Sequence, residues 1–292
     1  MLGGKRSSDK MRVFKMKTLS SRKKRKPLRR INPPSGFHRL RSFVRDVGFD
    51  ALNTFRYFRY NLSLKSHREF HFSKESTEPP VVLLQGFLGS SSVLRPLDLY
   101  LQENGRNVFL IDLGLVNIRD IRESAETLLF EIERIMDDYS KRFGFKKIDI
   151  VAHSMGGLIA LYYIRKLGGH RLIRNLVTLG TPFRGTYAAG FGVALFGLVS
   201  KGVWQMLPNS SLLQELQETG GEPQKTRIVS LAAQGDTLCP PASCFLKGAI
   251  NRIVPLGHAS LLMDSRVFRS LISFLSDRHD NTNVVAFDHF RT

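Results

Sequence analysis

The 292-residue chain has only two cysteines, Cys239 and Cys244. So few exclude a disulfide framework or a cysteine-built metal site as the basis of its stability. One bridge between them is geometrically open, but reduced thiols are the expectation. No stretch approaches the roughly 20 apolar residues of a membrane-spanning helix. The charged N-terminal region lacks the apolar block of a secretory signal. Acidic residues are scarce there: residues 1–80 hold 21 Lys and Arg against 6 Asp and Glu, a net +15, whereas residues 81–292 hold 23 against 19, a net +4. The formal charge of +19 therefore belongs mainly to an appendage on a near-neutral body. An Arg-rich, acid-poor start also has the composition of an organelle transit segment, which composition alone leaves open.

What the chain does have is enough apolar residue, 42%, for a sizeable core. Residues 1–35 read as a disordered basic tail, with mutually repelling runs such as Lys23-Lys24-Arg25-Lys26 and a closing Pro33-Pro34. Residues 36–78 read as a basic amphipathic segment. Within it Leu40, Phe43, Val44, Val47, Ala51, Phe55, Phe58 and Leu62 recur at helical spacing, with arginines between them. Such a stripe either packs on the body or lies on a membrane surface, and both readings stand. Residues 79–292 form the main domain. Strands are expected over 81–84, 107–112, 148–153, 175–179, 227–232 and 250–254, and helices over 121–139, 157–167 and 260–275. Continuous apolar strands alternating with helices predict an α/β fold, a mostly parallel sheet covered on both faces. Residues 183–221 carry no strand and include the uncharged run 188–199; they are expected as a helical cap inserted after strand 175–179.

The chain is organised around Ala152-His153-Ser154-Met155-Gly156-Gly157, placed where an apolar strand runs into a helix. A nucleophile held at the tip of such a turn needs small residues two before and two after it, and Ala152 and Gly156 satisfy this. A serine hydroxyl also needs a histidine base, and that histidine needs an orienting carboxylate. Asp236 and His258 follow later strands in the required order; Asp112 is the rival carboxylate, and His153 reads as a wall or support residue. Attack on a carbonyl makes an oxyanion, for which two backbone amides are needed. Met155 is one candidate donor. Phe87, in the turn Gln85-Gly86-Phe87-Leu88-Gly89-Ser90, is the other. No lysine follows that turn at phosphate-loop spacing.

These segments, together with Leu179-Gly180-Thr181-Pro182, Gly235-Asp236-Thr237-Leu238 and Gly257-His258-Ala259-Ser260, resemble the α/β-hydrolase superfamily, and within it bacterial lipases and esterases. Ala152 and Gln85 depart from the usual glycine and histidine. The resemblance implies an α/β-hydrolase fold and a serine hydrolase that cleaves carboxylic esters of fatty acids through an acyl-enzyme. A thioesterase, amidase or acyltransferase would use the same triad; a non-catalytic binding module with a basic tail is the rival from another class. No cofactor is expected, and no metal-ligand set can be placed. The expected partners are an acyl-ester or lipid substrate and an anionic membrane surface met by residues 1–62. Nucleic acid would explain the charge but not the apolar stripe. A cytoplasmic location is expected, with peripheral membrane attachment as the role open to those residues.

Overall fold

The structure is a computed structural model that describes residues 52–57, 59–61, 70–71, 76, 78–113, 118–190, 200–217 and 226–276. The expected disordered tail, most of the stripe over residues 37–62, and residues 191–199 and 218–221 of the expected cap lie outside the described residues.

Seven strands form one sheet: β1 (Phe70–His71), β2 (Val81–Leu84), β3 (Val108–Leu110), β4 (Ile148–His153), β5 (Ile173–Leu179), β6 (Arg227–Ala233) and β7 (Ile250–Val254). Their order is β1-β3-β2-β4-β5-β6-β7. β2 to β7 are mutually parallel, and β1 pairs antiparallel with β3 at the edge.

β2 and β3 are apolar at every position, and β4, β5 and β6 are buried nearly throughout, because both faces of the sheet are covered there. Val82, Leu84, Ile148, Ile150 and Ala152 pack in one core with the helices Ile121–Ile135 and Met155–Lys166. Val81, Leu83 and Val151 face the other way, toward the helices Arg95–Glu103 and Ser265–Leu275. The helix starts are locally specified. Asp120 caps Ile121–Ile135 by accepting from Arg122 N at 2.8 Å, and Asp264 caps the last helix by accepting from Arg266 N at 2.7 Å. That last cap explains why the helix begins at Ser265; the residues just before it, Ala259–Leu262, form a separate 3₁₀ turn.

The chain runs from β2 outward to β3, then crosses back to β4 on the other side of β2. In open parallel sheets a crevice opens at such a reversal, beyond the C-terminal ends of the strands. The opposite end is closed by a buried ionic cluster: Asp149 accepts from Arg106 Nη2 at 2.7 Å and Arg174 Nη2 at 2.6 Å, and both arginines also donate to Leu275 O.

Between β5 and β6 the described chain contains the short helices Lys201–Gln205 and Ser211–Gln217 and no strand. Lys201–Gln205 is tied down: Gln205 accepts from Ile121 N and donates to Asp120 Oδ1, both at 2.7 Å. Residues 52–57 and 59–61 are helical and also pack on the body, where Tyr57 and Tyr60 join the second core. Phe55, the stripe residue among the described ones, does not make that contact: it is 65% exposed, while Asn53 is fully buried.

Candidate active site

Ser154 directly follows β4 with φ 52° and ψ −126°. A side chain is disfavoured in this region and persists only where its surroundings enforce it. Here Ser154 N donates to Leu179 O at 2.8 Å, and Ser154 O accepts from Gly157 N at 3.0 Å and from Thr181 Oγ1 at 2.9 Å. The chain thereby reverses from strand to helix within one residue. The loop after β2 lies hard against this turn. A Cβ on Gly156 would come within 2.6 Å of Gln85 O, and one on Gly86 within 2.8 Å of Ser154 Cβ. Alanine at position 152, fully buried, is accommodated.

His258 follows β7 and Asp236 follows β6. Their side chains meet, His258 Nδ1 lying 2.6 Å from Asp236 Oδ2. The other carboxylate oxygen accepts from Leu238 N at 2.9 Å and Cys239 N at 2.7 Å, so the carboxylate plane is fixed. With Nδ1 engaged by the carboxylate, Nε2 is the nitrogen left to exchange a proton. Asp112 follows β3, is half-buried, and does not line the cavity that contains Ser154 and His258.

That cavity is about 580 Å³. Its walls carry Phe87, Leu88, Ala188, Ala189, Val203, Met206 and Leu238 beside Ser154 and His258. The cavity contains a candidate oxyanion residue, Phe87, and the described part of the insertion between β5 and β6. Met155 opens the helix behind Ser154. The first amides of a helix have no partner within it and point toward its N-terminal end.

His153 is the wall residue that its place beside Ser154 suggests. Its ring lies 4.6 Å from the His258 ring at 53°, and 6.1 Å from the Tyr57 ring. Both ring nitrogens are buried, with no hydrogen-bond partner among the described residues. Burial first, and then the neighbouring His258, hold its pKa well below the usual 6.5, so the ring is neutral.

Cys239, in the loop that resembles the acid loop of the lipases, stands beside the pair. Asp236, Cys239 and His258 bring one ligand atom each within 4.8 Å of one another. The donor set is already committed, however: Asp236 holds His258 and two amides. Burial, reinforced by Asp236, pushes the Cys239 thiol well above its usual pKa. A metal ion there would have to displace the Asp236–His258 bond. Both cysteines are free and buried, and burial raises Cys244 to about 12. The sequence reading does not place Thr54, Tyr57 and Asn61 in the site, yet they line the cavity from the helical residues 52–57 and 59–61. The signal was present as Asn53, Tyr57 and Asn61 at four-residue steps, but it is a polar stripe rather than an apolar one.

The chain is 27% identical over 123 residues to a triacylglycerol lipase of Pseudarthrobacter phenanthrenivorans, which covers 40% of this chain and 37% of that one. It is equally identical, 27% over 123 residues, to a triacylglycerol lipase of Burkholderia plantarii, covering 40% and 33%. The matched stretch thus spans about a third of either relative. In three dimensions it is similar to the mature form of Bacillus licheniformis lipase BlEst2, with a TM-score of 0.58, 19% identity, and coverage of 68% of this chain and 92% of that one. Aspergillus fumigatus lipase B gives a TM-score of 0.57 at 14% identity, covering 70% and 55%. At such identities the structural likeness is one of fold. Residues 79–243, more than half of the chain, match the family of the alpha/beta hydrolase fold. The chain belongs to the alpha/beta hydrolase family.

Proposed function

We propose that this protein is a serine hydrolase that cleaves carboxylic esters of fatty acids through an acyl-enzyme. The observation that carries the reading is the 2.6 Å Asp236–His258 pair opening on the same cavity as Ser154 at its strained turn. Ser154 Oγ attacks the ester carbonyl as its proton passes to His258 Nε2, and Asp236 stabilises the resulting imidazolium. The carbonyl oxygen becomes an oxyanion and is received by the amides of Phe87 and Met155. One such donor contributes about 3 kcal/mol to transition-state stabilisation. Collapse expels the alcohol, which takes the proton from His258. A water then attacks the acyl-serine with His258 again as base, releasing the fatty acid and restoring Ser154.

The apolar walls favour an acyl chain, and the lipase relatives support the same class. Near the cavity Leu238 is 51% exposed and Tyr187 is 86% exposed, which suits a substrate delivered from a lipid phase. We further propose that residues 1–62 hold the enzyme against an anionic membrane surface. The basic tail supplies attraction of about 1 kcal/mol per residue near an anionic leaflet. Leu52 and Phe55, turned to solvent, supply apolar contact.

A fluorophosphonate should label Ser154, and a nitrophenyl ester series should be hydrolysed with a preference for chains longer than acetate. Labelling without ester turnover would reassign the bond to a thioester or amide, or the reaction to acyl transfer. Absence of labelling would leave a binding module. For the membrane role, Lys23, Lys24, Arg25, Lys26, Arg29 and Arg30 would be replaced together by glutamine. Loss of co-sedimentation with anionic vesicles, at unchanged turnover of a soluble ester, is expected; steep salt-dependent binding to DNA or RNA instead would refute it.

A further inference from the structure

We propose that the helical residues 52–57 and 59–61, which precede the stretch matching the family, position the active site, and that Asn61 sets the geometry of the oxyanion loop. The inference rests on the serine-hydrolase reading above.

Asn53, Tyr57 and Asn61 are four residues apart and so share one helical face. That face spans the site. At one end Asn53 Nδ2 donates to Ser260 Oγ at 3.2 Å, two residues beyond His258. In the middle the Tyr57 ring lies 6.1 Å from the His153 ring, which itself packs on His258. At the other end the Asn61 side chain grips the loop after β2 twice: Nδ2 donates to Leu88 O at 2.9 Å, and Oδ1 accepts from Ser90 N at 2.8 Å. A single amide thus mimics a neighbouring strand, offering a donor to one backbone carbonyl and an acceptor to an amide two residues on.

The gripped segment is one that needs holding. Gly89 N donates to Gly86 O at 3.2 Å, closing a tight turn with Phe87 and Leu88 at its centre. Leu88 has φ 53°, which leucine disfavours. The peptide bearing the Phe87 amide therefore takes its direction from a turn that relaxes unless its far side is pinned. Asn61 is the pin. Releasing it should weaken the contact made to the oxyanion more than the contacts made to the resting ester, so the loss belongs in kcat and not in KM.

The test uses the full chain carrying Asn61→Leu, which removes both bonds, and Asn61→Asp, which keeps only the acceptor for Ser90 N. Turnover of a soluble nitrophenyl ester is measured beside the affinity for an alkyl boronic acid, whose tetrahedral serine adduct places an oxygen in the hole. Asn61→Leu should lose about ten- to a hundredfold in kcat with KM within about twofold of wild type, and boronate affinity should fall in parallel with kcat/KM. Asn61→Asp should lie between. Wild-type kcat and boronate affinity in both variants would overturn the proposal, as would a fall in kcat that leaves boronate affinity unchanged. If Asn61→Leu does not fold, Asn61→Asp decides by the same criteria. Fluorophosphonate labelling of Ser154 separates the two levels: an unlabelled wild type refutes the hydrolase reading, whereas a labelled wild type with unimpaired variants refutes only the role of Asn61.

Discussion

Asp236 and His258 come from loops after two adjacent parallel strands and meet at 2.6 Å, with the carboxylate fully buried and the imidazole partly open to the cavity. Register between β6 and β7 sets this distance, since Ala233 pairs with Val254 just before the two loops diverge. Replacing Asp236 by asparagine keeps the shape but lets an amide donate to Nδ1, favouring the tautomer whose Nε2 cannot accept the serine proton. Asp236→Asn should lose about 10⁴-fold in kcat. Asp112→Asn, altering a carboxylate outside the cavity, should retain most activity. Equal loss in two folded variants, measured with a soluble ester, would reassign the orienting acid.

The φ of 52° at Ser154 has a stability consequence separate from chemistry. Glycine relieves the strain there, whereas alanine keeps it. Strain of about 1–3 kcal/mol, less the greater freedom of glycine in the unfolded chain, leaves Ser154→Gly about 1 kcal/mol more stable than Ser154→Ala. Urea unfolding of the two inactive variants checks this; equal midpoints would show the turn to be unstrained.

His153 predicts an acid-limb effect. Its folded-state pKa is depressed below 6.5 by burial and by His258, so the unfolded chain binds the proton more tightly. Its contribution is complete above the unfolded value and is lost as pH falls through 6.5 toward the folded value. Between pH 7 and 5, His153→Phe should therefore lose less unfolding free energy than wild type. Parallel curves would show that the ring can be protonated without opening the core.

Leu238 lines the cavity and is 51% exposed, so charge is tolerable there for the fold but not for an acyl chain passing over it. Leu238→Glu should reduce kcat/KM progressively with acyl length while sparing acetate esters, because each CH₂ in apolar contact contributes about 0.8 kcal/mol. A uniform reduction would place the acyl chain elsewhere.

The parts of the molecule readable from sequence are those where one physical signal dominates. The strand Ile148–His153 is expected and observed over the same residues because it is buried throughout and its apolar run Ile150–Ala152 is preceded by Ile148. The places of Ser154, Asp236 and His258 follow from the strands they terminate. Two-residue β1 is too short to carry any period. The helix Arg95–Glu103 went unread because Leu99 is exposed while Leu97 and Leu101 are buried, which blurs its apolar face. Helix was expected over residues 52–57 and 59–61, but its inward face was not: Asn53 and Asn61 dock it through hydrogen bonds to loops more than 20 residues away, and Tyr57 through its ring contact with His153. Hydrophobic periodicity has no access to such partners.

Ser154 as the nucleophile is the centre of the proposed chemistry. Turnover of a soluble nitrophenyl ester by Ser154→Ala, with folding verified by circular dichroism, measures this. Removing the nucleophile should leave a rate lower by about 10⁶-fold. Retention of a tenth or more of the wild-type rate by the folded variant would contradict the account.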